Sequence, residues 1–138
     1  MADTSTGWTE NGFGDRRYYT CRFDWDAGNQ NEIISSPFNW IVDSDFTIFV
    51  NYAAVDTSTT VTNTLHIYGS ADGANKIDMV SGIAIDNASF DGKVYKYLYD
   101  ISTNGVAPLM FISLDPATAN IGNVNIDMCI FPNIRRDD

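Results

Sequence analysis

The chain has 138 residues, 44% hydrophobic and 13% aromatic, so it is long and apolar enough for one domain with its own core. Its 18 acidic and 8 basic side chains give a formal net charge of −10 at pH 7. This charge disfavours binding to nucleic acid or to an anionic membrane, since both repel a negatively charged surface. No apolar run approaches the length of a membrane span, so no membrane-spanning helix is expected.

The N-terminal segment from Met1 to Asp15 is polar and glycine-rich, with too little alternation to predict a strand. It lacks the cationic start and apolar run of a secretory signal, so we expect synthesis in a cytoplasm. Trp8 and Phe13 are its aromatic anchors, and Arg16 and Arg17 follow them. Because a tryptophan can bury a large area in a foreign pocket, the segment is predicted to contact a neighbouring subunit. Packing on its own domain, or a frayed end, is the alternative.

Period-two alternation, which is typical of half-buried strands, dominates the rest of the chain. In the run FTIFVNY one face carries only apolar or aromatic side chains: Phe46, Ile48, Val50 and Tyr52. The run from Thr62 to Tyr68 alternates less regularly and contains the single histidine, His66. Further along, the run KVYKYLYD places a ladder of tyrosines on one face: Tyr95, Tyr97 and Tyr99.

Two apolar runs complete the strand pattern. APLMFISLD is apolar on both faces, as expected for a strand in the centre of a packed sandwich. GNVNIDMCIF directs four apolar side chains to one face: Val124, Ile126, Met128 and Ile130. Turn-rich pieces separate about eight strand candidates, and strong helix formers are scarce. The sequence therefore predicts an all-β protein, an antiparallel β-sandwich of jelly-roll type at residues 18–138, preceded by an extended N-terminal arm at residues 1–17.

The stretch LHIYGSADG changes from strand alternation to a turn signal at Asp72-Gly73. Such a pair tolerates positive φ, so chain reversal is the favoured interpretation. Calcium binding by oxygen ligands is the alternative, either here with Asp72 and Asp78 or in the loop Asp24–Glu32. Solvated turns explain both pieces without a metal, and we expect neither a metal site nor a cofactor.

Residues that carry catalytic chemistry are sparse. His66 lies in mid-strand, and no nucleophile or phosphate motif is present, so we expect a hydrogen-bonded structural histidine and no enzyme. Cys21 and Cys129 lie in strand-like runs and are predicted to be buried small hydrophobes. A disulfide between the first and last strands is the alternative. Neither cysteine has a second cysteine or a histidine at metal-ligand spacing.

The tyrosine ladder has two interpretations. On an inner or intersubunit face, each ring would pack while its hydroxyl stays hydrated, and this interpretation is favoured. On an exposed face, the rings would stack on sugars, with Trp25 and Trp40 in support.

A strand that ends in GSADG, the runs KIDMVSGIAID and KVYKYLYDIS, and the closing strand VNIDMCIF together resemble small β-sandwich proteins of tailed-phage heads. The resemblance spans roughly Thr60 to Pro132. It implies a capsid decoration, or cement, protein that lacks catalysis and clamps the major capsid protein in the assembled head. It also implies a homo-oligomer, a trimer or a dimer, on the capsid surface of the virion. Versions of this turn often place a tryptophan three residues after the second glycine, where this chain has Lys76.

The predicted function is therefore that of a virion structural protein that acts through protein–protein contacts, with no nucleic-acid or membrane partner. The interface candidates come from the arm and the tyrosine ladder: Trp8, Phe13, Arg16, Arg17, Tyr95, Tyr97 and Tyr99. Similar turns also occur in galactose-binding-like sandwiches. The alternative function is consequently a carbohydrate-binding or receptor-binding module of phage-tail, fibre or lectin-like type.

Overall fold

The computed structural model describes residues 4–12, 17–25, 31–40, 44–55, 62–86, 94–116 and 124–132. These ranges contain ten strands and one short helix. The strands are β1 Thr4–Ser5, β2 Thr9–Asn11, β3 Tyr18–Trp25, β4 Ile33–Ile34, β5 Phe46–Val55, β6 Thr62–Ser70, β7 Ile77–Asp86, β8 Val94–Tyr99, β9 Leu109–Pro116 and β10 Val124–Pro132. The helix, α1, spans Ile101–Asn104.

The strands form two antiparallel sheets. Sheet A has the order β1-β3-β10-β5-β8, with β2 also paired to β3, and sheet B has the order β4-β9-β6-β7. From β3 onward the pairing is nested: β3 pairs with β10, β4 with β9, β5 with β8 and β6 with β7. A long hairpin wrapped in this way into two sheets is a jelly roll. The predicted all-β sandwich of jelly-roll type, with about eight principal strands, is confirmed.

The core lies between the two sheets, where the apolar faces predicted from the sequence meet. The inward face of FTIFVNY and the inward face of β10 are buried at all four predicted positions each. Strand β9 lies between β4 and β6 and is buried on both faces over residues 110–114, as predicted for a central strand. Burying one large apolar side chain stabilises a fold by roughly 1.5–3 kcal/mol, so these faces hold the two sheets together.

Two members of the tyrosine ladder, Tyr97 and Tyr99, lie on the inner face of the edge strand β8. Tyr99 has no exposed surface: its ring stacks on Phe46 with 4.5 Å between centroids, and its hydroxyl donates to Gly105 O at 2.7 Å. Tyr97 is partly buried against the same core. The side chain of Tyr95 is outside the described part of the structure. The two described members of the ladder therefore pack in their own domain.

The N-terminal segment forms strands, and here the sequence prediction was wrong. Strands β1 and β2 both pair with β3 and together extend sheet A by one interrupted edge strand. Thr6 N donates to Arg22 O at 2.8 Å, and Thr9 pairs with Thr20, so the Gly7–Trp8 pair opposes a single residue of β3. Two residues opposite one is a β-bulge, which breaks the alternation that would have indicated a strand.

The β6–β7 hairpin confirms chain reversal at Asp72-Gly73. Gly73 has φ of +83°, the left-handed region that glycine tolerates. The Asp72 carboxylate accepts hydrogen bonds from the backbone N–H groups of Asn75 and Ala74, each at 2.9 Å, and from Asn75 Nδ2 at 2.8 Å. These bonds, led by the Asn75 backbone, hold the pKa of Asp72 well below its ordinary value. The carboxylate is thus engaged within the turn.

The helix α1 connects β8 to β9 and was not predicted. Asp100 caps it, because its Oδ1 accepts hydrogen bonds from Ser102 N at 2.9 Å and Thr103 N at 3.3 Å. Ile101 N donates to Asp45 Oδ1 at 2.9 Å, which ties the helix to the start of β5. Within the described ranges, no helix has the length and apolar character needed to span a bilayer.

Cys21 and Cys129 are free thiols on the paired strands β3 and β10. Cys21 points into the core with its buried neighbours, whereas Cys129 lies on the outer face and is partly buried. A disulfide needs two Cβ atoms that face each other, so placement on opposite faces excludes the bridge. The prediction of a buried small hydrophobe is confirmed for Cys21, and burial raises the pKa of both thiols.

Candidate functional site

The outer face of sheet A carries a strip of polar side chains at its centre. In the antiparallel register, Asp127 on β10 lies opposite Arg22 on β3 and opposite Asn51 on β5. Directly opposed residues lie on the same face with their Cβ atoms about 5 Å apart. Arg22, Asp127 and Asn51 therefore form a continuous strip across three neighbouring strands.

An open cleft of about 510 Å³ lies over this strip. The N-terminal arm forms one wall through Thr6 and Thr9, and Phe49 adds an aromatic ring. The cleft is lined by Thr6, Thr9, Thr20, Cys21, Arg22, Phe49, Asn51, Asp127, Met128 and Cys129. Hydroxyl, amide, carboxylate and guanidinium groups beside one ring can hydrogen-bond a polar ligand while an apolar face of that ligand packs on the ring.

The cation of the cleft, Arg22, is held by two carboxylates. Its Nε lies 3.2 Å from Asp24 Oδ1 and 3.7 Å from Asp127 Oδ1. All three side chains are roughly half exposed, so these ion pairs contribute only about 0–1 kcal/mol to stability. Their main effect is to orient the guanidinium. The one cation and the two carboxylates, Asp24 and Asp127, together carry a net negative charge, which disfavours an anionic ligand.

A pair of phenylalanines extends the cleft along the sheet. Phe49 and Phe131 stack with their planes 4° apart and their centroids 5.0 Å apart, and each is only partly buried. Both project from the outer face, because their neighbours in β5 and β10 are the buried inward residues. The outer face of sheet A thus combines a polar strip with a flat apolar surface beside it.

The outer face of sheet B carries a separate cluster built around Glu32. The Tyr68 hydroxyl donates to Glu32 Oε2 at 2.8 Å, and the Ser113 hydroxyl donates to the same oxygen. Burial and the bond to Glu32 raise the pKa of Tyr68 to about 12, so the phenol stays protonated and keeps donating. This cluster ties the segment before β4 to the centre of sheet B.

His66 lies beside this cluster and does not match its prediction in full. Its ring stacks on Tyr68 with planes 7° apart and lies over Gly82, where a Cβ atom would approach His66 Cε1 to 2.9 Å. Its Nδ1 is buried and has no hydrogen-bond partner in the described part of the chain. Among the described residues, ring packing and not a hydrogen bond at Nδ1 holds the side chain, and the structural role of His66 stays a prediction.

The residues predicted as interface candidates are dispersed. Trp8 and Arg17 lie together in a small pocket at the edge of sheet A, whereas Tyr99 is in the core. Phe13 and Arg16 lie outside the described residues. Because Tyr99 has no exposed surface, any contact with a partner falls to the other candidates, and their interface role stays a prediction.

The predicted aromatic support for sugar stacking lies in the interior. Trp25 and Trp40 are 1% and 4% exposed, and their indole N–H groups donate to the backbone carbonyls of Asn31 and Ser44. Neither ring is available to a ligand on the surface of the sheets.

The loops considered for calcium give no assembled ligand set. Residues 26–30 of the loop Asp24–Glu32 lie outside the described ranges, and Glu32 is engaged by Tyr68 and Ser113. Asp72 is engaged by its own turn. Among the described residues, no group of three or more His, Cys, Asp or Glu side chains is arranged to hold a metal ion.

Sequence reasoning missed the polar strip. Asn51 and Asp127 alternate with the predicted apolar positions of their strands, but their neighbourhood depends on the order of β3, β10 and β5. The sequence does show one signal: charged and amide side chains interrupt otherwise apolar strands. Their positions come together only through the strand order, which follows from the nested pairing of the strands.

Comparison with known proteins adds a fold likeness. No protein-family model and no curated protein sequence matches the chain. A structure solved in a study of promiscuous specificity in carbohydrate-binding modules of the β-sandwich superfamily is 10% identical, with a TM-score of 0.50. The match covers 92% of this chain and 54% of that one, so this chain spans about half the length of that structure. At this identity the match shows a shared β-sandwich fold.

Two further solved structures are similar over most of the chain. The CBM22-1 xylan-binding domain from Paenibacillus barcinonensis is 12% identical, with a TM-score of 0.44, covering 94% of this chain and 88% of that one. The xylan-binding module CBM15 is 11% identical, with a TM-score of 0.43, covering 98% of this chain and 100% of that one.

Proposed function

We propose that the chain is a carbohydrate-binding module whose glycan lies across the outer face of sheet A. The observation that carries this proposal is the polar strip of Arg22, Asp127 and Asn51 in an open cleft beside the stacked pair Phe49 and Phe131. This function was the alternative in the sequence analysis.

The chemistry of the cleft suits a sugar ring. A pyranose has hydroxyl groups at its edge, which pair with planar amide, carboxylate and guanidinium groups, and an apolar C–H face, which packs on an aromatic ring. Asn51 and Asp127 supply the first kind of contact, and Phe49 supplies the second. The volume of about 510 Å³ lies within the roughly 300–1,000 Å³ of small-molecule sites.

The charge around the cleft favours a neutral glycan. Arg22 is engaged by Asp24 and Asp127, so it does not present an unopposed positive charge to a ligand. The chain as a whole carries a formal charge of −10. An acidic polysaccharide would therefore be repelled at long range, whereas a neutral one would not.

The fold likeness supports the proposal at the level of architecture. The similar structure with a TM-score of 0.50 belongs to work on carbohydrate-binding modules of the β-sandwich superfamily. The β-sandwich is thus an architecture that this chain shares with that structure, while the assignment of the cleft depends on its own residues.

Calorimetric titration and affinity electrophoresis with neutral soluble polysaccharides test the proposal. We expect saturable binding that weakens about tenfold in Asn51→Ala and in Asp127→Ala, since one hydrogen bond to a ligand contributes about 1–1.5 kcal/mol. Asp78→Ala, an exposed carboxylate on sheet B, is the matched control and should bind normally. Equal weakening in all three variants, or no binding to any neutral glycan, contradicts the proposal.

Capsid decoration is the second candidate, and exposed apolar side chains on the sheet edges favour it. Ile77 and Leu98 are 67% and 51% exposed on β7 and β8, where a partner protein would bury them. In this case the chain would be a trimer or dimer bound to the major capsid protein on the virion surface. Co-sedimentation with purified heads, lost in Leu98→Asp and kept in Asn51→Ala, would support this function over glycan binding.

A further inference from the structure

We propose that a second pocket, between the N-terminal arm and residues 36–40, binds a single neutral sugar ring independently of the cleft. The pocket has a volume of about 310 Å³. Trp8, which is partly buried, supplies its aromatic surface, and the buried rings of Tyr19 and Phe38 lie beneath it. Its rim is polar and is formed by Glu10, Arg17 and Asn39. We call it the arm pocket.

The floor of the arm pocket is fixed before any ligand arrives. Trp8 Nε1 donates to Ser36 O at 2.7 Å, and the Tyr19 hydroxyl donates to Asn39 O at 3.2 Å. The Trp8 and Phe38 rings meet edge to face, with 5.3 Å between centroids and 69° between planes. Because the indole N–H is bonded to the backbone and the ring packs on Phe38, Trp8 is held in place with part of its surface exposed, and little ordering is needed on binding.

The rim selects a neutral polar ligand. Arg17 Nε lies 2.9 Å from Glu10 Oε1, so the rim charges compensate each other. A free anion would meet Glu10 and a free cation would meet Arg17, whereas hydroxyl groups can donate to the carboxylate and accept from the guanidinium. Asn39 is exposed and adds an amide donor and acceptor. Aromatic floor and planar polar rim together match the two surfaces of a sugar ring.

The size of the arm pocket limits its occupant. A volume of about 310 Å³ lies at the lower end of the roughly 300–1,000 Å³ typical of small-molecule sites. The pocket therefore suits one ring, either a free monosaccharide or one unit of a glycan. It differs in this respect from the larger cleft.

Neighbouring side chains of the arm point to different sites. Thr9 of β2 lines the cleft, whereas its neighbours Trp8 and Glu10 line the arm pocket. Successive side chains of a strand point to opposite faces, and the bulge at Gly7–Trp8 turns the indole away from the cleft. One edge strand is thus a wall of both sites, and two sites on one domain can bind a polysaccharide with avidity.

Tryptophan fluorescence distinguishes the sites, because the tryptophans are distributed unequally. Trp8 lines the arm pocket, Trp25 and Trp40 are in the core, and none of the described residues that line the cleft is a tryptophan. We expect a saturable change in emission on titration with glucose, galactose, xylose, mannose or arabinose, or with their neutral oligomers. Trp8→Phe, which keeps a ring in place, should abolish the change and identify the reporter.

Rim and cleft variants then assign the signal. The affinity obtained from the emission change should fall at least tenfold in the double variant Glu10→Ala/Asn39→Ala, whose side chains are exposed. It should stay the same in Asn51→Ala. Circular dichroism and thermal melting verify that each variant is folded. Calorimetry with the preferred oligosaccharide should give two ligands per chain for the wild type and one for either variant.

The outcomes separate the arm pocket from the cleft. If calorimetry detects cleft binding but no sugar alters the emission, the arm pocket is refuted and the proposed function stands. Loss of the emission change in Asn51→Ala, with retention in the rim variant, also refutes it. An emission change, together with calorimetric binding that neither Asn51→Ala nor Asp127→Ala weakens, supports the arm pocket and refutes the cleft. Absence of sugar binding by both methods refutes both.

Discussion

A buried hydrogen bond between the two sheets should make a measurable contribution to stability. Asn63 points inward from β6, is 1% exposed, and its Nδ2 donates to the Tyr52 hydroxyl on β5 at 3.0 Å. Its Oδ1 is buried without a hydrogen-bond partner in the described part of the chain. Tyr52→Phe removes the acceptor and leaves a buried amide donor without it. Such a group costs about 1–3 kcal/mol.

The predicted magnitude translates into a large thermal shift. For a chain of 138 residues, 1 kcal/mol corresponds to roughly 4 °C in Tm, so Tyr52→Phe should melt about 4–12 °C lower. Asn63→Leu keeps a similar volume and removes both amide atoms from the apolar core. The double variant Tyr52→Phe/Asn63→Leu should recover much of the loss, because no polar atom of the pair is left buried.

Urea unfolding of the wild type, both single variants and the double variant measures the coupling. The urea midpoints should shift, while the slope of the free energy of unfolding against urea concentration stays constant. We expect a coupling free energy of at least about 1 kcal/mol between the two substitutions. Additive effects, within the roughly 0.3–0.5 kcal/mol found for independent sites, would show that the pair does not interact across the core.

Three further predictions concern the turn, the glycines and the thiols. The fold lowers the pKa of Asp72, so the contribution of this carboxylate to stability is complete above the ordinary aspartate pKa of about 3.9. That contribution falls as the pH drops toward the lowered pKa. Asp72→Asn should therefore flatten the acid side of a plot of urea midpoint against pH. Gly69→Ala should lower the free energy of unfolding by about 1–3 kcal/mol, since the added Cβ would lie 2.7 Å from Ala107 Cβ and from Met79 Sδ. Gly7→Ala is the control: its Cβ would have no atom within 4 Å, so the melting temperature should not change. Burial raises the pKa of both cysteine thiols, so each should react with a thiol reagent far more slowly in buffer than in urea, and rapid labelling of Cys21 in the native state would contradict its burial.

The interior of the fold could be predicted from the sequence, because burial imposes a period of two. Phe46, Ile48, Val50 and Tyr52 were predicted on one face and are buried together, and the same holds for the inward face of β10. The glycine at position 73 indicated the turn, since few other residues adopt its positive φ. Each of these signals is local, and each depends on a few neighbouring residues.

The surface site could not be predicted, because it depends on strand order and on a broken strand. Arg22 and Asn51 are far apart in the sequence and meet only because β10 lies between β3 and β5. Trp8 was predicted to be an anchor, but the pocket that it lines is completed by residues 37–39, which belong to none of the predicted strands. The β-bulge beside Trp8 hides the edge strand from a search for period two.

The central position of β10 in sheet A has a consequence for biosynthesis. It is the last described strand to leave a ribosome, yet it pairs with β3 on one side and with β5 on the other. Sheet A therefore cannot close until that strand has emerged, and its contacts span long sequence separations, which slows the search for the native state. Asp127 of the cleft arrives with the same strand. A nascent chain should thus complete sheet A and gain its capacity to bind at the cleft together, once β10 has emerged.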